Sequence, residues 1–309
     1  MTAPSLIVRV HDKDGAWLAE EIGKLDPRIM VTREPIPRPA SAKTCLVTFV
    51  PPADEDLTHY DWIHASGAGV DRILPKLECA SACPLITRTT GRMGRQIGEY
   101  ALSYALAYLQ RHQTRRQLAR QKLWSVDAAK PRVLFDTDVL VIGTGAMGQG
   151  IAEVFAPLAK RVIGASRSGR SRPPFTEVYR LDELLEMTNA IVVASLPATP
   201  DTEHILNEDL FGRLTAGLFI NAGRGVTLDT QALRTWLGAH QDAEAVLDVF
   251  EQEPLPETDP LWRQERLTIT PHVSGITRAE DTLETFARQV RHFLDNEPLE
   301  DIVDPAQGY

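Results

Sequence analysis

The stretch VLVIGTGAMGQGIAEVF, residues 139–155, limits what this chain can fold into more than any other segment. A short apolar run bounded by glycine reads as a strand buried on both faces, which occurs mainly in parallel sheets whose crossovers are helices. Gly143 permits the tight turn out of the strand, Gly145 lets backbone approach a pyrophosphate, and Gly148 lets the following helix pack closely on the strand. A phosphate then sits at the helix amino terminus, where unpaired N–H groups and the helix dipole favour negative charge. With RVIGAS as a second strand at the expected distance, the segment specifies a dinucleotide site on a doubly wound sheet.

The same alternation runs through the chain. In the first hundred residues SLIVRV, TCLVTFV, WIHAS and PLITRT alternate with helical stretches such as DGAWLAEEIGKL. After SVDAAKPRV a second series follows, with strands at VLVIG, RVIGAS, AIVVAS, LFINA, AEAVLDVF and LTIT and helices at IAEVFAPL, LDELLEM and DTQALRTWLGA. Ile97, Tyr100, Ala101, Tyr104 and Tyr108 recur at helical offsets, which predicts one long helix from Gln96 to about Leu123. A last helical pattern spans about Arg278 to Leu294. The expected fold is α/β with two doubly wound parallel-sheet domains and a cleft between them. A flavodoxin-like substrate domain would take residues 1–100 plus 275–309, and a Rossmann-type cofactor domain residues 101–274.

The strand RVIGAS ends in Ser166, followed by Arg167 and Ser168, at the position where an NAD site would carry an acid against the ribose 2′-hydroxyl. No carboxylate stands there. Hydroxyls and a guanidinium suit a 2′-phosphate, because arginine pairs with it through parallel charge-assisted hydrogen bonds. The cofactor expected is NADP(H), with NAD(H) as the lesser alternative.

Three further residues carry chemistry. Arg224 lies between Gly223 and Gly225 after the strand LFINA, where its planar fork of donors can grip a carboxylate and polarise the neighbouring carbonyl. His272 follows a proline at the end of an apolar strand and can move a proton near neutral pH. A carboxylate in DVFEQEP, either Glu251 or Glu253 by spacing alone, can fix the histidine's tautomer. Arginine, histidine and acid are what reduction of a 2-keto acid requires. The other histidines, such as His112 and His292 on helical patterns, read as solvated. In the first half, the glycines of SGAGVD, residues 66–71, can bare backbone N–H groups to a substrate carboxylate.

Lys plus Arg number 33 against 42 Asp plus Glu, a net charge of −9 that disfavours nucleic acid and anionic lipid. Cys45, Cys79 and Cys83 are too few for a disulfide framework and lack partners at metal-ligand spacing, so they read as thiols of a cytoplasmic protein with no metal. No apolar stretch approaches the ~20 residues of a membrane span, and MTAPSLIVRVHDKDG shows no signal-peptide pattern.

Taken together, GAGVDRIL, GRMGRQIGEYAL, GTGAMG, SLPATPDT, NAGRG, DVFEQEPLP, DPLW, TITPHVSGITR and VDPAQGY resemble the D-isomer-specific 2-hydroxyacid dehydrogenase family, in particular its glyoxylate/hydroxypyruvate reductase A branch. The resemblance implies Arg224 and His272 as catalytic residues and selects Glu253, the glutamate before proline, over Glu251. It implies substrate contacts from the backbone of Ala68 and Gly69, and cofactor contacts from Ala146, Met147, Leu196, Pro197, Thr202, Ala222 and Gly223, with Asp248 at the nicotinamide carboxamide. Phe49 stands where related reductases carry a tryptophan against the substrate. The family's usual homodimer is implied as well. The expected activity is NADPH-dependent reduction of glyoxylate or hydroxypyruvate. An NAD-linked dehydrogenase of a bulkier hydroxy acid is the alternative, and a non-catalytic nucleotide sensor on the same scaffold is a more distant one.

Overall fold

The computed structural model describes residues 4–37, 40, 42–77, 83–305 and 307–309. They form two compact units: the chain up to Arg92 together with Thr277–Tyr309, and Met93–Ile276. The first unit opens with β1 (Leu6–His11), α1 (Gly15–Gly23), β2 (Ile29–Thr32), β3 (Lys43–Thr48), β4 (Trp62–Ala65) and β5 (Leu85–Arg88). The second begins with α2 (Met93–Leu109), α3 (His112–Arg120), α4 (Val126–Ala129), β6 (Asp138–Ile142), α5 (Ala146–Phe155), β7 (Arg161–Ser166) and β8 (Glu177–Arg180). It continues with β9 (Met187–Ala194), α6 (Glu208–Gly212), β10 (Leu214–Asn221), α7 (Thr230–Ala239), β11 (Glu244–Leu247) and β12 (Leu267–Ile269). The chain then returns to the first unit with α8 (Ala279–Asp295).

The second unit is a seven-stranded parallel sheet in the order β12-β11-β10-β9-β6-β7-β8. Counted from β6, this is the Rossmann order with one further strand, and its direction of winding reverses between β6 and β9. Alternate residues of β6 feed opposite cores: Val139 and Val141 pack toward α2 and α5, Leu140 and Ile142 toward α6 and α7. That two-sided burial is why VLVI reads as an uninterrupted apolar run. Glycines bring α2 onto α5, since a Cβ on Gly150 would come 2.7 Å from the Cα of Gly94. Ile151 and Phe155 of α5 are wholly buried, which stabilises the layer by about 1.5–3 kcal/mol for each such side chain.

The first unit is a five-stranded parallel sheet in the order β2-β1-β3-β4-β5, the flavodoxin-like arrangement. Leu6, Val8 and Val10 of β1 pack with Leu18 and Ile22 of α1 and Phe286 and Val290 of α8. The opposite face carries Leu46, Ile63 and Ile86 under the segment holding Leu57, Val70 and Ile73. Edge strand β5 is covered by the C-terminal segment, where Thr87 pairs with Ile302 and Val303 N–H donates to Ile86 O at 2.9 Å. This pairing uses backbone groups that an open sheet edge would expose.

Three expectations are corrected. The long helix after Gln96 is two helices, because Arg111 turns left-handed (φ 51°) and Arg132 N–H takes the Leu109 carbonyl at 2.9 Å. No residue of α3 is buried, so no core contact holds it collinear with α2. LDELLEM is a single 3-10 turn over Leu181–Glu183 running into β9. Arg213 donates to the carbonyls of Leu184 (2.6 Å) and Asp182 (3.3 Å), groups an α-helix there would use itself. His64 is not solvated but wholly buried in β4.

Among the described residues no helix is long and apolar enough to cross a membrane, and no group of three His, Cys, Asp or Glu stands ready to hold a metal. Cys45 is buried and Cys83 exposed, while Cys79 lies outside the described residues.

Candidate active site

The carboxyl ends of the parallel strands in the second unit converge on one rim, the general location of ligand sites on such sheets. Gly143 leaves β6 with φ 98°, a left-handed turn that suits glycine. A Cβ on Gly148 would collide with the carbonyl oxygen of Gly143, so the first turn of α5 can lie against the loop only as glycine. Gly145 is the N-cap of α5 with no side-chain cap, no acid in the first turn, and open space where a Cβ would stand. An uncapped N-terminus of this kind offers backbone N–H donors to an anion.

Beyond β7, Ser166 Oγ accepts from Gly169 N–H at 3.2 Å and Ser168 Oγ from Arg170 N–H at 3.4 Å, which folds the basic loop back on itself. Arg167 lies at the surface 3.6 Å from Asp201. The sequence pattern points to Arg167; the structure adds Arg172, whose guanidinium donates to the Thr144 carbonyl inside the glycine loop at 3.1 Å. Its signal was the run of arginines in SRSGRSRPP.

Across the switch point, Leu196 packs so closely on Gly223 that a Cβ there would lie 2.6 Å from its backbone. Ala222 N–H bonds Ala194 O at 3.0 Å. Thr202 donates to Pro197 O at 2.7 Å and closes a capping box with Thr199. Asn221, wholly buried, shapes the NAGRG turn: its Oδ1 accepts from Gly223 N–H (3.1 Å) and its Nδ2 donates to Arg224 O (3.2 Å). Arg224 is half-buried, with Nη1 on the Gly223 carbonyl at 2.8 Å. Gly225 beside it admits the backbone of Phe250 and Glu251, which any Cβ would strike. The arginine turn thus abuts the loop bearing the acids.

In that loop the two glutamates divide. Glu251 pairs with His204 at 2.9 Å, and the carboxylate raises the pKa of that exposed imidazole. Glu253 accepts from Phe250 N–H through Oε1 (3.0 Å) and meets Nδ1 of His272 through Oε2 at 2.8 Å. A carboxylate only accepts, so Nδ1 carries the hydrogen and Nε2 is left for chemistry. His272 itself has a left-handed backbone (φ 54°) and a half-exposed side chain. Asp248, fully buried, accepts from Val273 N–H at Oδ1 (2.9 Å) and Ser274 N–H at Oδ2 (2.8 Å), and its main-chain oxygen takes His272 N–H at 2.9 Å.

Residues 102–274 match the family model for the NAD binding domain of D-isomer specific 2-hydroxyacid dehydrogenases. The chain belongs to the D-isomer specific 2-hydroxyacid dehydrogenase family. It is an oxidoreductase with an NAD(P)-type cofactor domain. The glyoxylate/hydroxypyruvate reductase A of Salmonella heidelberg is 32% identical over 255 residues, 80% of this chain and 81% of that relative. Among solved structures, a family protein from Aeromonas salmonicida subsp. salmonicida is 30% identical with a TM-score of 0.78, covering 98% of this chain and 100% of its own. An NADPH-dependent glyoxylate/hydroxypyruvate reductase from Sinorhizobium meliloti, solved with NADP and sulfate, is 27% identical with a TM-score of 0.79 and full coverage of both chains.

In the first unit of this dehydrogenase, the loop after β4 is anchored by Ser66 N–H on Thr48 O (2.9 Å) and by Thr282 Oγ1 on Ser66 O (3.1 Å). The Phe49 ring lies over Gly67, where a Cβ would come 2.8 Å from it, and the Arg72 guanidinium stands 5.8 Å from the ring centroid. Ala68 is half-buried, with its carbonyl accepting from Arg88 at 3.4 Å, and Gly69 is exposed.

Proposed function

We propose that this protein reduces small 2-keto acids, glyoxylate to glycolate and hydroxypyruvate to D-glycerate, with NADPH as preferred reductant and NADH as a weaker one. The observation that carries the reading is the 2.8 Å contact between His272 Nδ1 and Glu253 Oε2, on a loop whose backbone at Phe250 and Glu251 abuts the glycine-flanked turn of Arg224. Glu253 holds the imidazole in one tautomer, and His272 Nε2 gives the proton to the substrate oxygen. Arg224 grips the carboxylate and polarises the adjacent carbonyl. On the first unit, the backbone of Ala68 and Gly69 and the ring of Phe49 are the substrate contacts.

The glycine loop and uncapped α5 fit a dinucleotide, because the backbone of Gly145, Ala146 and Met147 can hold its pyrophosphate where no side chain intervenes. The bound nicotinamide supplies the hydride. Ser166, Arg167, Ser168 and Arg172 receive the 2′-phosphate. Leu196, Pro197, Thr202, Ala222 and Gly223 line the remaining contact, with Asp248 assigned to its carboxamide end. NADPH preference agrees with the Sinorhizobium reductase and with the basic residues that follow β7. We place the protein in the cytoplasm on its thiol content.

Steady-state kinetics with NADPH against glyoxylate, hydroxypyruvate and a bulkier keto acid test the reading. His272→Gln should lower kcat by roughly 10²–10⁴-fold while NADPH still binds. Wild-type turnover on none of these acids, or a fully active His272→Gln, overturns it.

A further inference from the structure

The loop that carries His272 is tied to a helix on the face of the sheet by a directed chain of hydroxyl groups. Thr270 Oγ1 donates to Asp248 Oδ1 at 2.6 Å, an oxygen already accepting Val273 N–H. A threonine hydroxyl has one proton. Since that proton is committed to Asp248, the 2.5 Å contact between Thr270 Oγ1 and Tyr100 Oη has the tyrosine as its donor. Donation therefore runs from Tyr100 on α2 through Thr270 to Asp248. Asp248 in turn holds Val273, Ser274 and, through its main-chain oxygen, the amide of His272.

We propose that Tyr100 is a positioning residue for the proton donor His272, acting through Thr270 and Asp248; this rests on the reading of His272 given above. The left-handed backbone of His272 is a conformation that non-glycine residues hold only when their surroundings over-determine it. Asp248 supplies that restraint on both sides, at the amide of His272 and at the two residues after it. A donor behind Thr270 polarises its hydroxyl and strengthens the bond to the buried carboxylate. Burial of Tyr100 raises its pKa, so it stays a donor across the working range of the enzyme. Glu253 orients the ring while the Tyr100 chain orients the backbone that bears it.

Tyr100→Phe removes only the hydroxyl and keeps the edge-on packing against Tyr104 at 4.9 Å. With NADPH and glyoxylate, we expect kcat to fall three- to tenfold with the KM for NADPH within twofold of wild type. Amide exchange at His272 and Ser274 should quicken about tenfold while that in β6 stays unchanged. Thr270→Val should lower kcat at least as far, Thr270→Ser should retain it, and Tyr100→Phe should cost less than twofold more once Thr270 is valine. Unchanged kcat and exchange in Tyr100→Phe overturn the proposal, as does a full independent loss in the Thr270→Val background. If wild type turns over no 2-keto acid, the functional reading fails separately, and the exchange measurement still decides whether Tyr100 orders the loop.

Discussion

Lowering the pH from 8 to 5 should cost this protein stability through one side chain, His64. Its imidazole is wholly enclosed, with Nδ1 2.8 Å from Thr87 Oγ1, Nε2 3.1 Å from Thr89 Oγ1, and its ring edge-on to Phe286 at 5.4 Å. Thr87 Oγ1 accepts the indole N–H of Trp62 at 2.8 Å, so its own proton is available to His64 Nδ1 and the ring sits there neutral. Burial pushes its pKa down to about 3. An unfolded histidine titrates near 6.5. Between those values the unfolded chain binds a proton that the folded chain refuses, so stability rises with pH across the window and is complete above about 6.5. The loss on acidification is roughly 1.4 kcal/mol per pH unit, or about 2 kcal/mol by pH 5. That corresponds to a drop of roughly 4–8 °C in Tm. Thermal unfolding of wild type and His64→Gln between pH 5 and 8 isolates the term, because other groups titrate in both and only the slope difference belongs to His64. Imidazole resonances followed over the same range should show one histidine that does not protonate. Equal slopes in the two proteins, or eight imidazoles all titrating between pH 6 and 7, would refute the reasoning.

Two further outcomes can be checked directly. Arg167→Asp should raise the KM for NADPH by about tenfold or more, the worth of one charge-assisted pair or a little over, and spare or improve NADH; equal losses with both cofactors remove the 2′-phosphate assignment. Leu123, Trp124 and Val126 are exposed at the start of α4, Trp124 at 96%, and we propose that they are buried between two copies of the chain. Light scattering should then show a dimer that Trp124→Glu converts to monomer, and a monomeric wild type discards the assignment.

How much of this was legible in the sequence depends on what each residue answers to. The strand–glycine–helix segment could be read because its constraints are local: VLVI alternates between two cores, and Gly148 stands against a carbonyl five residues before it. LDELLEM carried a helical pattern just as clear, yet the pattern lost to Arg213, which takes two of its carbonyls from 29 and 31 residues away. The helix after Gln96 failed for the opposite reason. Its second half, RHQTRRQLARQ, has no apolar face to keep it in line, and local propensity alone does not extend a helix past the end of its packing.

At the site, residues that bear chemistry announce themselves by type, while residues that hold them do not. Spacing left Glu251 and Glu253 equal, because two positions along an irregular loop have no fixed facing. What separates them is that Glu253 turns back onto Phe250 N–H and meets His272, whereas Glu251 turns out to His204. Tyr100 is the extreme case. On the apolar stripe of α2 its ring satisfies the helical pattern completely, and a tyrosine buried by its ring still needs a partner for its hydroxyl. That partner, Thr270, lies 170 residues further on, and the two meet only after seven strands have aligned and α2 has packed on α5. The requirement for a partner was written at position 100, but its identity belongs to the fold. A partly buried tyrosine on an otherwise apolar stripe is therefore the place to look for a hydroxyl that meets a distant loop, and in this dehydrogenase the loop it meets is the one that carries His272.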